Sequence, residues 1–260
     1  MTAPDRTPSA TRGLAIFAVA IALFTAACSG SPVLSTPSQA PTSPQRPTPT
    51  AGAVPSASVA PRILPPPCFG SCLAGTYQSR RFQPPLTYTV PAGWFTGDEP
   101  TEYALTVGSD RSSDGIFLFR DPLAHSQKPD CPLTADQTIG TSAKEITDWI
   151  ASLPGLKATP PEAVTVGGLP GYMLDVRLAP SWKHACPYSD GAPVVPLIVG
   201  SASNKGLDWG VGATGMRIWV LDAGADRRIW MDVEAGDRLT LDDMLQRATP
   251  VIESFEFSAP

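Results

Sequence analysis

The sequence has few histidines and few charges. Its 260 residues include two histidines, His125 and His184, and only 17% of them are Asp, Glu, Lys or Arg. Neither a Gly-x-Ser-x-Gly motif nor a Ser-x-x-Lys motif is present, so the chain lacks the short signatures of common serine hydrolases. Catalysis is therefore not the leading expectation, and a hydrolase with an unrecognised active site remains the alternative.

Basic charge is scarce in the larger, C-terminal part of the chain. From Cys68 to Pro260 there are 15 Lys and Arg residues against 23 Asp and Glu residues, which gives a net charge of -8. Nucleic acids and anionic lipid surfaces attract proteins with the opposite charge balance, so we expect no nucleic-acid partner. The Gly-Gly-Leu-Pro-Gly stretch at 167–171 lacks the strand-to-helix context of a phosphate loop, and we expect a turn there and no cofactor.

The N-terminus contains an apolar run that is too short to cross a bilayer. Residues 14–27 are uncharged and mostly apolar, whereas a membrane-spanning helix needs about 20 such residues. The run ends in Thr25-Ala26-Ala27-Cys28, which resembles the bacterial lipobox, although Thr25 stands where that motif usually has Leu. The resemblance implies that residues 1–27 are a lipoprotein signal peptide and that Cys28 carries the lipid. A short membrane helix and an ordinary cleaved signal peptide are the alternatives.

A proline-rich segment follows the lipobox. Eleven of the 30 prolines lie between Ser31 and Pro67, and Ser, Thr and Ala supply most of the other residues there. This composition cannot form a core, because it contains too little apolar surface to bury. We predict a disordered tether over residues 28–67 and a single extracytoplasmic domain over residues 68–260.

Alternation and capping patterns predict an α+β fold for that domain. Two short strands are expected at 76–82 and 86–90, interrupted by Pro84 and Pro85, and paired segments indicate antiparallel hairpins at 103–119, 162–178 and 216–233. Ser142 with Glu145 forms a capping box, and Thr240 caps a second helix that Pro250 should end or kink before a last strand at 252–257. The expected structure is a mainly antiparallel sheet packed with two principal helices. An α/β/α sandwich is the specific form that this description suggests.

The hairpin at 216–233 suggests a recognition surface. If facing residue numbers sum to 449, the apolar residues align on one face and Trp219 opposes Trp230 on the other. Two neighbouring indoles on an open sheet face would suit a sugar or another flat apolar ligand. Trp219 and Trp230 are therefore candidate ligand-binding residues, with burial beneath a helix as the alternative.

The five cysteines indicate an exported protein with two disulfides. If Cys28 carries lipid, Cys68, Cys72, Cys131 and Cys186 remain, and four cysteines allow three pairings. We favour Cys131 with Cys186 and Cys68 with Cys72, since loop cysteines of exported domains are usually bridged. A zinc site formed by Cys131, Cys186 and both histidines is the alternative, but its spacing matches no standard finger, so we expect no metal.

Three stretches carry a resemblance to known proteins. Residues 87–94 (TYTVPAGW), 166–172 (VGGLPGY) and 251–257 (VIESFEF) resemble uncharacterised lipoproteins of high-GC Gram-positive bacteria. The order of strands, turns and helices is similar, more distantly, to PsbP-like α/β/α domains. These motifs specify turns and strands, so the resemblance implies a fold and no activity.

Together these features predict a lipoprotein on the extracytoplasmic side of the cell membrane, with a non-catalytic binding or structural domain. The expected partners are the membrane, through the lipid anchor, and a glycan, lipid or protein. A cell-envelope hydrolase is the alternative.

The first prediction concerns the anchor. A Cys28→Ala variant should leave the membrane fraction, because the thiol that receives the two acyl chains is missing and such a pair anchors a protein stably. Cell fractionation followed by immunoblotting measures this. Retention of the variant in the membrane fraction, at the level of the unchanged protein, would show that Cys28 is not the anchor.

Overall fold

A computed structural model describes residues 65–97, 104–108, 114–201, 206–224, 226–236 and 239–258. These residues belong to one compact unit that runs from Val59 to Pro260. Cys28, the signal peptide and most of the tether lie outside the described residues, so the predictions made for them stay predictions. Within the described part of the chain, no helix has the length and apolar character needed to cross a membrane.

The described chain forms fifteen strands and two helices. The strands are β1 (Gly70–Ser71), β2 (Gly75–Gln78), β3 (Leu86–Val90), β4 (Phe95–Gly97), β5 (Ala104–Gly108), β6 (Gly115–Arg120), β7 (Leu123–Ala124), β8 (Leu156–Ala158), β9 (Glu162–Val166), β10 (Leu169–Leu178), β11 (Val195–Val199), β12 (Asp208–Val211), β13 (Met216–Asp222), β14 (Arg228–Glu234) and β15 (Glu256–Phe257). The helices are α1 (Ala143–Ser152) and α2 (Leu241–Glu253).

A nine-stranded antiparallel sheet forms the centre of the fold. Its strands run in the order β1-β4-β5-β6-β14-β13-β10-β8, and β9 pairs with the first half of β10. Two three-stranded sheets accompany it, in the orders β12-β11-β7 and β15-β3-β2. Four of the eight neighbouring pairs in the central sheet, β4-β5, β5-β6, β9-β10 and β13-β14, join strands that follow one another along the chain, which antiparallel pairing allows through a short connection.

Both faces of the central sheet are covered. On one face, buried side chains of β6, β13 and β14 pack with those of α2 and β3. On the other face, buried side chains of β10, β13 and β14 pack with those of α1 and β11. Strands covered on both sides have no solvent face, so their sequences need not alternate between apolar and polar residues.

This architecture corrects the expected fold class. The α+β expectation, with an α/β/α sandwich as its specific form, is wrong, because antiparallel strands far outnumber helices in the described chain, where fifteen strands accompany only two helices. One outer layer contains α2 and the sheet β15-β3-β2, and the other contains α1 and the sheet β12-β11-β7. Strands β11 and β12 were not predicted. All five residues of β11 are buried, so it is a short apolar run without the alternation that indicates a strand.

The register predicted for the β13–β14 hairpin is also wrong. Facing residue numbers sum to 450 rather than 449, so Trp219 faces Met231 and Val220 faces Trp230. A slip of one residue normally moves apolar side chains into water. Here it does not, because both faces of these strands are buried, and the apolar pattern alone could not select the register.

Trp219 and Trp230 therefore do not form a paired recognition surface. Trp219 is 6% exposed and packs in the core beneath α2, whereas Trp230 is fully buried in the core beneath α1. Neither indole lies on an open sheet face, and the two lie on opposite faces of the sheet. The alternative stated from the sequence, burial of both side chains, describes their position.

Both helices begin at the expected caps. The Ser142 hydroxyl accepts from the Glu145 backbone N–H, and Thr240 makes the equivalent bond with Asp243, with the reciprocal side-chain bonds present in both. Pro250 does not end α2, which continues to Glu253, and the last strand is only Glu256–Phe257. Burial of Val251 and Ile252 against the central sheet explains why the helix continues past the proline.

A glycine in β10 offers a test of this sheet. A Gly171→Ala change would place a methyl group against the Val220 carbonyl oxygen and the Leu221 Cα of β13. We expect a loss of about 2 kcal/mol or more of unfolding free energy, measured by urea denaturation, because backbone atoms cannot move aside cheaply. Gly212→Ala is the matched control, since an added Cβ meets nothing within 4 Å. Equal stability of the two variants would contradict the pairing.

Candidate functional site

Two loops beside β11 form the walls of a candidate site. The first wall loop, residues 125–135, is closed by a bridge between His125 and Ala135. Within the second wall loop, residues 179–194, the Val194 N–H donates to the His184 carbonyl oxygen at 3.0 Å and closes the segment between them. Backbone pairing of this kind gives each loop a defined shape and leaves its outer side chains free to contact a ligand.

The first wall loop is attached to β11 by two hydrogen bonds. The His125 N–H donates to the Leu197 carbonyl oxygen at 2.9 Å, and the Gln127 carboxamide donates to the Pro196 carbonyl oxygen at 2.7 Å. Because β11 is fully buried and is the middle strand of its sheet, it gives the loop a rigid support.

The disulfide between Cys131 and Cys186 joins the two wall loops. Its Cα atoms lie 5.6 Å apart, and the two residues are 55 positions apart in sequence. A second disulfide links Cys68 to Cys72. These are the two pairs favoured from the sequence. Disulfides form and persist in oxidising compartments, so the described domain is extracytoplasmic in character.

A cavity of about 200 Å³ lies between the wall loops, and we call it the disulfide pocket. Its lining combines an aromatic ring, an imidazole, one lysine and two prolines with a disulfide sulfur. The lining residues are Gln127, Lys128, Pro129, Cys131, Trp182, His184 and Pro196. None of these residues is acidic, which distinguishes the pocket from the acidic composition of the rest of the domain.

Trp182 is held in place on one side of the pocket. Its indole N–H donates to the Val194 carbonyl oxygen at 2.9 Å, and its backbone N–H donates to the Ala179 carbonyl oxygen. The absence of a side chain at Gly155 makes room for the ring, since a Cβ there would lie 2.8 Å from Trp182 Cδ2. The edge-on ring of His184 is 5.7 Å from the Trp182 ring. These contacts orient the indole before any ligand arrives.

His184 also contacts the disulfide. Its Nε2 atom lies 3.3 Å from the Cys131 sulfur, and the three possible ligand atoms of Cys131, His184 and Cys186 all lie within 4.8 Å of one another. Cys131, Cys186 and His184 are three of the four residues in the alternative zinc site considered from the sequence. His125 is not part of the group, and both sulfurs are engaged in the disulfide.

His125 belongs to a separate polar cluster. It is fully buried, its Nδ1 lies 2.6 Å from the Ser126 carbonyl oxygen, and its Nε2 lies 3.5 Å from an Asp208 carboxylate oxygen. Burial raises the pKa of Asp208, and the nearby His125 and Tyr188 only partly offset this effect. Burial and the neighbouring Asp208 also raise the pKa of Tyr188. The cluster links the first wall loop to β12.

A serine hydrolase would need a histidine between a serine hydroxyl and a carboxylate. Across the described ranges, neither His125 nor His184 is hydrogen-bonded to a serine hydroxyl. The described residues therefore show no Ser-His pair of the kind that a serine hydrolase uses.

A buried carboxyl pair lies at the end of β14. Asp232 is fully buried, and burial raises its pKa well above the ordinary value, with the charge of Glu234 adding to the effect. The indole N–H of Trp230 donates to Asp232 and acts in the opposite direction. Burial also raises the pKa of Glu234 to about 7, against a smaller opposing effect from Trp209. Trp209 packs on Phe117 and so covers this end of the sheet.

Sequence reasoning found some of these residues and missed others. It singled out Cys131, Cys186 and His184, but it did not place Trp182 and Lys128 in the same site. Trp182 follows a Pro-Ser turn and lies two residues before His184, and this clustering of aromatic and imidazole rings beside a predicted disulfide was an available signal. Asp232 was not singled out from the sequence, and in the observed register it faces Ile218.

Comparison with known proteins gives little further information. No family model and no curated protein matches the chain. Among solved structures, the solution structure of cyanobacterial PsbP (CyanoP) from Synechocystis sp. PCC 6803 is 14% identical, with 74% of this chain and 97% of that chain covered and a TM-score of 0.35. This is a distant PsbP-like resemblance. No conclusion about function follows from a TM-score this low.

The buried carboxyl pair generates a pH prediction. Folding raises the pKa of the Glu234 carboxyl from its ordinary value of 4.5 to about 7. Its contribution to stability is therefore fully present below pH 4.5, and it is lost as the pH rises through about 7. We expect the unfolding free energy to fall on the order of 2 kcal/mol between pH 5 and pH 8. Urea denaturation at several pH values measures the change.

A Glu234→Gln variant should lose much of this dependence, because a carboxamide does not ionise. Glu253→Gln, at an exposed position on α2, is the matched control and should keep the pH dependence of the unfolding free energy. The same pH profile in both variants would contradict the assignment to Glu234.

Proposed function

We propose that the protein is a lipid-anchored, extracytoplasmic binding protein and that its ligand occupies the disulfide pocket. The observation that carries the proposal is the pocket itself, a concave space of about 200 Å³ with an oriented indole at one wall and a lysine at its rim. Concave, partly apolar sites with a few polar groups are where proteins bind small ligands.

The size of the pocket limits the ligand. Sites for drug-sized molecules occupy roughly 300 to 1,000 Å³, so a space of about 200 Å³ suits a ligand near the size of one sugar ring. Trp182, Pro129 and Pro196 provide the apolar surfaces against which the faces of a sugar pack, while the Gln127 and Lys128 side chains provide polar contacts.

The charge of the pocket favours an acidic ligand. Lys128 is the one permanently cationic residue among those that line it, and no carboxylate joins them. An anionic group on the sugar ring would gain a charge-assisted contact with the Lys128 ammonium. We therefore propose a sugar residue with a carboxylate, such as the exposed end of an envelope glycan.

The proposed anchor and tether fit this role. Two acyl chains on Cys28 would hold the protein at the membrane, and a proline-rich segment extends about 3.1 Å per residue. The tether would place the disulfide pocket at a distance from the bilayer, where glycans of the envelope are accessible.

Calorimetric titration of the full chain, with both disulfides intact and a chelator present, tests the proposal. A uronic acid should bind more tightly than the matched neutral hexose, since only the former has an anionic group for Lys128. Trp182→Ala should weaken binding about tenfold or more, which corresponds to about 1.4 kcal/mol. Lys128→Gln should remove the preference for the acidic sugar while leaving the binding of the neutral one.

Leu133→Ala is the matched control. Leu133 is on the first wall loop and is exposed, but it does not line the pocket, so this variant should bind as the unchanged protein does. The proposal is wrong if no sugar of either kind binds, or if Trp182→Ala and Leu133→Ala behave alike.

A further inference from the structure

The contact between His184 and the disulfide leads to a second inference, which does not rest on the proposed sugar ligand. We infer that reduction of the Cys131–Cys186 disulfide creates a binding site for a thiophilic divalent cation, Zn²⁺, with two thiolates and one imidazole as ligands. In the disulfide form the same three side chains are already gathered, with all three possible ligand atoms within 4.8 Å of one another.

The distances suit a tetrahedral zinc ion. Zinc lies about 2.3 Å from cysteine sulfur and about 2.0 Å from histidine nitrogen, so a nitrogen and a sulfur on one ion are about 3.5 Å apart. His184 Nε2 is already 3.3 Å from the Cys131 sulfur. Once the disulfide is broken, the two sulfurs need to separate to about 3.8 Å, which small side-chain rotations provide.

The surroundings favour this set of ligands over a chance cluster. Cys131 and Cys186 are 5% and 2% exposed, so their sulfurs are shielded from bulk water. The hydrogen bond from the Cys131 N–H to the Lys128 carbonyl oxygen closes a turn that holds Cys131, and the Ser189 hydroxyl accepts from the Cys186 N–H. Each of these hydrogen bonds lies within one wall loop and is formed by atoms other than the two sulfurs.

The fourth coordination position would face the disulfide pocket. Cys131 and His184 both line this cavity, which gives the ion a path of entry and leaves space for a water molecule as the fourth ligand. Zinc sites with three protein ligands and one open position are the kind in which the metal acts on water or a substrate, whereas structural sites are closed by four protein ligands.

The chemistry balances with a dithiol as reductant. The dithiol gives two electrons and two protons and becomes a disulfide, and the bond between the Cys131 and Cys186 sulfurs breaks to give two thiols. Zn²⁺ then replaces the two thiol protons, which are released to solvent, and the imidazole of His184 binds as a neutral ligand. The disulfide form has no free thiolate to offer and should not bind the ion.

The experiment compares oxidised and reduced full-length protein in the Cys68→Ser/Cys72→Ser background, so that the site disulfide is the only one formed. A trialkylphosphine reduces it, taking oxygen from water to become the phosphine oxide, and is then removed under argon. Zn²⁺ should bind one to one and at least about 100-fold more tightly to reduced than to oxidised protein. Co²⁺ in place of Zn²⁺ should give a sulfur-to-cobalt charge-transfer band.

Two variants separate the proposed site from adventitious binding. His184→Ala should weaken the binding of Zn²⁺ to the reduced protein about tenfold or more, whereas Leu133→Ala should leave it unchanged, because Leu133 is an exposed residue outside the group. Equal affinity of oxidised and reduced protein, or equal affinity of the His184→Ala and unchanged proteins, overturns the inference. The inference is also overturned if circular dichroism shows that reduction unfolds the protein and that Zn²⁺ does not refold it.

Discussion

The burial of the central sheet on both faces is the constraint on which the rest of the structure depends. Strands β13 and β14 have buried side chains on each side, so each face needs its own cover. With only two helices in the described chain, a helix alone does not complete either outer layer, and small antiparallel sheets fill the remaining area. The same double cover explains why Asp232 is buried and why its pKa is raised.

The disulfide pocket follows from that arrangement. Sheet β12-β11-β7 lies over one face of the central sheet, and both wall loops are connected to β11, one by hydrogen bonds and one through the chain that leads into it. The Cys131–Cys186 disulfide then joins the loops to each other. In the chain-entropy model, a crosslink that closes 55 residues stabilises the fold by about 4 kcal/mol. Its larger role here is to hold Trp182, His184 and Lys128 around one cavity.

Local signals predicted local structure well. The capping boxes at Ser142 and Thr240 specify helix starts through bonds within four residues, and both helices begin there. Both disulfides are the pairs predicted from the sequence, because an oxidising compartment favours bridged cysteines and Cys131 and Cys186 both lie in loops. The register of β13 and β14 could not be predicted, since apolar residues on both faces satisfy more than one alignment. Trp182 joins His184 and Lys128 only through tertiary contacts, which no local pattern specifies.

We propose that the Cys131–Cys186 disulfide fixes the two wall loops as one binding site. Hydrogen–deuterium exchange of the unchanged protein and of a Cys131→Ser/Cys186→Ser variant tests it most directly. We expect faster amide exchange in residues 125–135 and 179–194 of the variant, with β13 and β14 protected as before. Unchanged exchange in both loops, or equally faster exchange throughout the central sheet, would contradict it.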